Sequence, residues 1–146
     1  MTNINPVWDV LASQANSAVL KAEARLEKFA KHKQKIVVRQ EKISALLVEY
    51  SNHSEKIQSN GGSGEIDNSR KFIAQLMDLQ NRTHHEYINV EADYGRAKKA
   101  LILANQEKLK ADFLSQREKE IQHQLLVTKE KRELELQGIT QFNLKR

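Results

Sequence analysis

Residues 51–69 read SNHSEKIQSNGGSGEIDNS, and this stretch decides whether the chain is one helix or two. Gly61-Gly62-Ser63-Gly64 offers no side chains to pack and is entropically costly to order in a helix. Asp67, Asn68 and Ser69 then supply a choice of residues that cap a helix N-terminus. Elsewhere little stops a helix, since the only proline is Pro6 and glycines number five. The spacing predicts a first helix over about 6–52, a loop over about 53–68 and a second helix over about 69–137. Gly138 is expected to end that second helix.

Upstream of the break, Asn5-Pro6 reads as a helix start. Asn caps the first turn, Pro suits the first helical position, and Asp9 suits the positive end of the dipole. From there an apolar ladder at intervals of seven runs through Trp8, Ala15, Ala22, Phe29, Ile36, Ile43 and Tyr50. A partner ladder three residues on is read through Leu11, Ala18, Arg25, His32, Arg39 and Leu46. Its middle is polar, and there Val19 and Leu26 widen the stripe. Alternating intervals of 3 and 4 keep one stripe facing a partner as helices supercoil, which is the seam of a coiled coil. Downstream, the stripe is read as Phe72, Leu76, Leu79, Thr83, Tyr87, Val90, Tyr94, Ala97, Leu101 and Ala104. It continues through Ala111, Leu114, Ile121 and Leu125.

Two periodic segments joined by a flexible break predict an all-α fold: a long antiparallel two-helix coiled-coil hairpin, 1–146, as a single domain. A solitary helix of this polarity gains little in water, because helical stability comes mainly from burying the apolar face. The second helix is the longer, so its C-terminal end is expected to overhang or bind something else. The glycine-rich break favours pairing within the chain and a monomer when free, although spacing alone leaves a dimer of long helices open.

Composition narrows the function. Charged residues make up 29% of the chain and aromatics 5%, enough apolar mass for a seam and too little for a thick core. Cysteine is absent, which removes disulfides, thiolate nucleophiles and cysteine-bound metals. No apolar stretch approaches the roughly 20 residues of a membrane helix, so no direct membrane insertion is expected. Met1–Asp9 lacks the basic and apolar regions of a secretory signal. The net charge is +5. The basic run Lys28, Lys31, Lys33, Lys35, Arg39 and Lys42 is read as a solvated surface spread around its helix, with no nucleic acid as partner.

No motif for chemistry emerges. The GGSG stretch lacks the lysine and hydroxyl residue of a phosphate-binding loop. His84 and His85 are adjacent and project about 100° apart on a helix, poorly placed to share a metal. Arg117-Glu118-Lys119-Glu120 reads as a solvated face. Catalytic, cofactor-binding and metal residues are therefore all read as none, and the chain as not an enzyme. The informative region is next to the break. Ile43, Leu46, Leu47 and Tyr50 on one side and Phe72, Ile73, Leu76, Met77 and Leu79 on the other exceed what a two-helix seam buries. The surplus predicts a docking surface.

In length, in the glycine-containing turn near residue 60, and in Glu49-Tyr50 and Phe72-Ile73-x-x-Leu76, the chain resembles the FliJ family, the small coiled-coil component of bacterial flagellar protein export. The resemblance implies a non-enzymatic cytoplasmic stalk, peripherally associated with the membrane export apparatus. Such a stalk couples the hexameric export ATPase to the membrane export gate and escorts export chaperones. Carried over by position, the gate-contacting residues would be Arg39, Ile43, Leu46, Tyr50, Phe72, Leu76, Leu79 and Thr83. Arg39 stands where the family has Gln, Leu46 for an aromatic, Leu79 for a small residue and Thr83 for His, so the match is carried by Tyr50, Phe72 and Leu76. A stalk of an injectisome secretion system, or an unrelated dimeric coiled-coil scaffold or chaperone, are the alternative readings.

Overall fold

A computed structural model describes residues 6–60 and 62–145, the side chains of Pro6, Ser59 and Asn60 excepted. The described residues form two α-helices that pack against each other, α1 (Pro6–Asn60) and α2 (Ser63–Leu144), with no strand among them. The all-α hairpin is thus the fold. Asn5, expected to cap α1, and Gly61, of the expected break, lie outside the described residues.

The break is much shorter than the predicted loop of 53–68. α1 continues through His53 to Asn60, and α2 resumes at Ser63, so Asp67, Asn68 and Ser69 lie inside the helix as its second turn. The Ile66 N–H donates to the Gly62 carbonyl at 3.3 Å, closing the first turn, and Glu65 supplies the acidic residue that the helix N-terminus favours. Packing accounts for the extension: Ser54 is buried on α1, and Ile57, Ile66 and Ser69 are half-buried. Those contacts outweigh the roughly 1 kcal/mol that Gly64 costs inside a helix relative to alanine. α2 also passes through Gly138 to Leu144, because no proline or capping motif follows it to supply a stop.

The chain's contacts fall into two units, each built from part of both helices: Ala22–Ala100, and Met1–Lys21 with Leu101–Arg146. In the unit Ala22–Ala100 the helices run antiparallel, since Tyr50 meets Phe72 while the earlier Arg39 meets the later Glu86. Its α1 row is Ala22, Leu26, Phe29, Lys33, Ile36, Gln40, Ile43, Leu47, Tyr50, Ser54 and Ile57, all buried or half-buried. The facing α2 row is Ile66, Ser69, Ile73, Leu76, Gln80, Thr83, Tyr87, Val90, Tyr94 and Ala97. Ile36 and Thr83, at 0% and 1% exposed, are the largest side chains fully enclosed. In the other unit Val19 and Ser115 are buried, and Trp8, Ala12 and Ala15 are half-buried. There the Ser115 hydroxyl donates to the Asp9 carboxylate at 2.9 Å, and Lys119 stands 3.7 Å from the same oxygen.

The seven-residue ladder of α1 is therefore in the seam, but its partner ladder is four residues on, not three. Leu11, Ala18, Arg25, His32, Arg39 and Leu46 are exposed, whereas Ala12, Val19, Leu26, Lys33, Gln40 and Leu47 turn inward. The polar members survive there because they keep partners or a wet tip. The Lys33 ammonium lies 5.1 Å from the Tyr94 ring centre and 5.9 Å from that of Tyr87, with its stem along the seam. On α2 the same shift places Ile73, Gln80, Ser115 and Gln122 inward and leaves Phe72, Leu79, Leu114, Ile121 and Leu125 exposed. Every described residue from Val127 to Lys145 is exposed.

Candidate functional site

The eight positions singled out next to the turn all belong to the unit Ala22–Ala100, and the structure separates them into two groups. Ile43, Leu76 and Thr83 are 3%, 6% and 1% exposed. They fill the seam and present nothing to a partner. The Thr83 hydroxyl is spent on its own helix, donating to the Leu79 carbonyl at 2.8 Å. These three are core, and their place in a docking surface is corrected accordingly.

The others share one edge. Arg39 and Glu86, each one residue ahead of a seam position, join across the helices at 2.8 Å. That ion pair shows that these two flanking rows face each other. One heptad nearer the turn the same rows carry Leu46 and Leu79, and on α2 the next member is Phe72. Leu46, Phe72 and Leu79 are 38%, 38% and 37% exposed, and the half-buried Tyr50 ring packs on Phe72 with centroids 4.5 Å apart, tilted by 53°. Such tilted contacts orient both rings as well as burying them. The result is an apolar strip beside the seam, closed by a salt bridge at its far end.

Towards the turn the strip opens into a groove of about 460 Å³ lined by Tyr50, His53, Ile57, Glu65, Asn68, Ser69 and Phe72. The Ser69 Oγ is buried and meets no hydrogen-bond partner among the described residues. A hydroxyl so placed carries a penalty of about 1–3 kcal/mol until something bonds it. The glycine-rich break predicts a loop or cap for His53, Ile57, Glu65 and Ser69, whereas all four are helical. The signal that places them on the groove is the 3–4 spacing of Tyr50, Ser54 and Ile57, which runs on past residue 52.

No family model, characterised protein or solved structure was found to match the chain. Its chemistry is therefore read from its own surface. Among the described residues no three His, Cys, Asp or Glu side chains cluster to hold a metal. The His84 and His85 rings stand 6.4 Å apart and tilted, not converging on one point. No helix among the described residues is long and apolar enough to cross a membrane. What this unit offers is a contact surface: an apolar strip, an aromatic pair and a groove.

Proposed function

We propose that the chain is a non-enzymatic stalk of a flagellar type III protein export apparatus, acting by contact between the export ATPase and the membrane export gate. The observation that carries this reading is the exposed strip of Leu46, Phe72 and Leu79 beside Tyr50, which coincides with the surface that the resemblance assigns to the gate. Large apolar side chains held partly in water next to one another favour a protein partner. Phe72 is the best anchor, since aromatic residues dominate interface energetics and its ring is already oriented by Tyr50. In this reading the seam residues Ile43, Leu76 and Thr83 act only by holding the strip in place.

The exposed apolar residues Leu134, Leu136 and Ile139 on the last turns of α2 supply a second contact region, which this reading gives to the ATPase ring. The chaperone-escort role rests on the resemblance alone. The test is binding of the purified chain to the cytosolic domain of the gate protein and to the export ATPase, each by calorimetry. Phe72→Ala with Leu46→Ala is expected to weaken gate binding by about 2–4 kcal/mol, in the range of an interface hot spot, and to leave ATPase binding unchanged. Gate affinity that does not respond to the double variant would overturn the assignment.

A further inference from the structure

The basic run of α1 is not spread around its helix. Arg25, Lys28, His32, Lys35, Arg39 and Lys42 follow one another at intervals of 3 and 4, which sets them on a single stripe, and Lys31 lies alongside. All of them are exposed. The one member that departs is Lys33, which turns into the seam over Tyr87 and Tyr94. Between Arg25 and Lys42 this stripe contains no acidic residue. Glu27 and Glu41 project elsewhere on α1, and the cross-helix acid Glu86 is taken up by Arg39. Glu27 pairs with Lys31 at 3.1 Å. Lys28, Lys35 and Lys42 have no ion-pair partner among the described residues. The stripe is roughly 25 Å long at 1.5 Å per residue.

We propose that this face of α1 adsorbs to an anionic lipid bilayer. Three features favour a bilayer over a folded acidic protein or a nucleic acid. Lysine predominates, and lysine is depleted at protein interfaces, where arginine and aromatic anchors prevail. The one aromatic side chain beside the cations, Phe29, is half-buried in the seam with Arg25 over its ring, so no exposed ring stands among them to stack on a base. A shallow depression lined by Gln34, Lys35, Val38, Arg39 and Lys42 sets an apolar floor within a cationic rim. Lysine stems over such a floor suit the headgroup boundary, where the ammonium groups reach lipid phosphates and the stems face the acyl region. A straight helix can also place all its charges on a flat surface at once, each adding to the attraction. The inference rests on the cations of α1 alone and stands whether or not the chain belongs to an export apparatus.

The test is co-sedimentation of the full chain with vesicles of equal phosphatidylglycerol and phosphatidylcholine, and with phosphatidylcholine alone. Binding is expected only to the anionic vesicles and should disappear near 1 M salt, where charges more than about 3 Å apart are screened. Lys28→Glu, Lys35→Glu and Lys42→Glu together should lower the affinity at least about 100-fold. The charge-matched control Lys71→Glu, Lys98→Glu and Lys99→Glu, off this face, should lose far less, with both variants checked for unchanged helicity. Equal loss in the control, or no binding of the native chain to anionic vesicles, overturns the proposal. So does tighter binding to duplex DNA that the α1 variant abolishes, which would give the face to nucleic acid.

Discussion

Ile43 and Leu46 are three residues apart, both aliphatic and both next to the turn, yet they sit on opposite sides of the boundary between core and surface. Ile43 is 3% exposed and Leu46 is 38% exposed. Ile43→Ala removes three buried carbons at about 0.8 kcal/mol each and leaves a cavity that a close-packed seam closes only in part, a loss of about 3 kcal/mol. Leu46→Ala removes the same number of carbons from a partly solvated edge where water fills the space, so only about 1 kcal/mol is expected. Urea denaturation followed by far-ultraviolet circular dichroism measures both, with the denaturant slope unchanged if the native helices are intact. Near-equal losses, or a greater loss for Leu46→Ala, would refute the reasoning. The seam would then run through the row of Arg39 and Leu46, and the exposed strip would be core.

Gly95→Ala is expected to raise stability by about 0.5–1 kcal/mol, because a Cβ there meets nothing within 4 Å and the position is mid-helix; thermal unfolding reads the gain. Replacing Arg39 or Glu86 by alanine should cost about 0.2–1 kcal/mol, since both partners of the pair are about half exposed, and the difference from the native chain should shrink at high salt. Deleting residues 127–146 should leave the free energy of unfolding nearly unchanged while lowering the total helical signal, because every described residue from Val127 to Lys145 is exposed.

The fold was legible because one row declares itself: Trp8, Ala15, Ala22, Phe29, Ile36, Ile43 and Tyr50 are apolar without exception, and all are buried or half-buried. The second row was not. Rows three and four residues on are each a mixture, with Leu11 and Leu46 in one and Val19, Leu26 and Leu47 in the other. The deciding residue, Lys33, looks like surface in a sequence and is accommodated by two tyrosines from α2 that only the fold brings to it. The helix ends were misplaced for a related reason. Glycine's intrinsic cost is local and visible, whereas the packing of Ser54, Ile57, Ile66 and Ser69 that overrides it is tertiary. Of the candidate site, the apolar surplus next to the break was readable, and Leu46, Phe72 and Leu79 are exposed there. The division into Ile43, Leu76 and Thr83 as core and Leu46, Phe72 and Leu79 as surface needed the register.

The connection between α1 and α2 is so short that it orders events in time. The cross-helix pair Arg39–Glu86 closes 47 residues of chain, whereas Ser115–Asp9 closes 106. Closing the longer loop directly costs about 0.7 kcal/mol more in chain entropy, but once the nearer contacts exist most of that closure has already been made. The helices should therefore zip from the turn outward and unzip in the reverse direction. Hydrogen exchange would register this as slow amides around Ile43 and Leu76 and fast ones around Asp9 and Ser115. A unit that opens first can yield its apolar face to a partner and close again, while the unit Ala22–Ala100 keeps its strip in place.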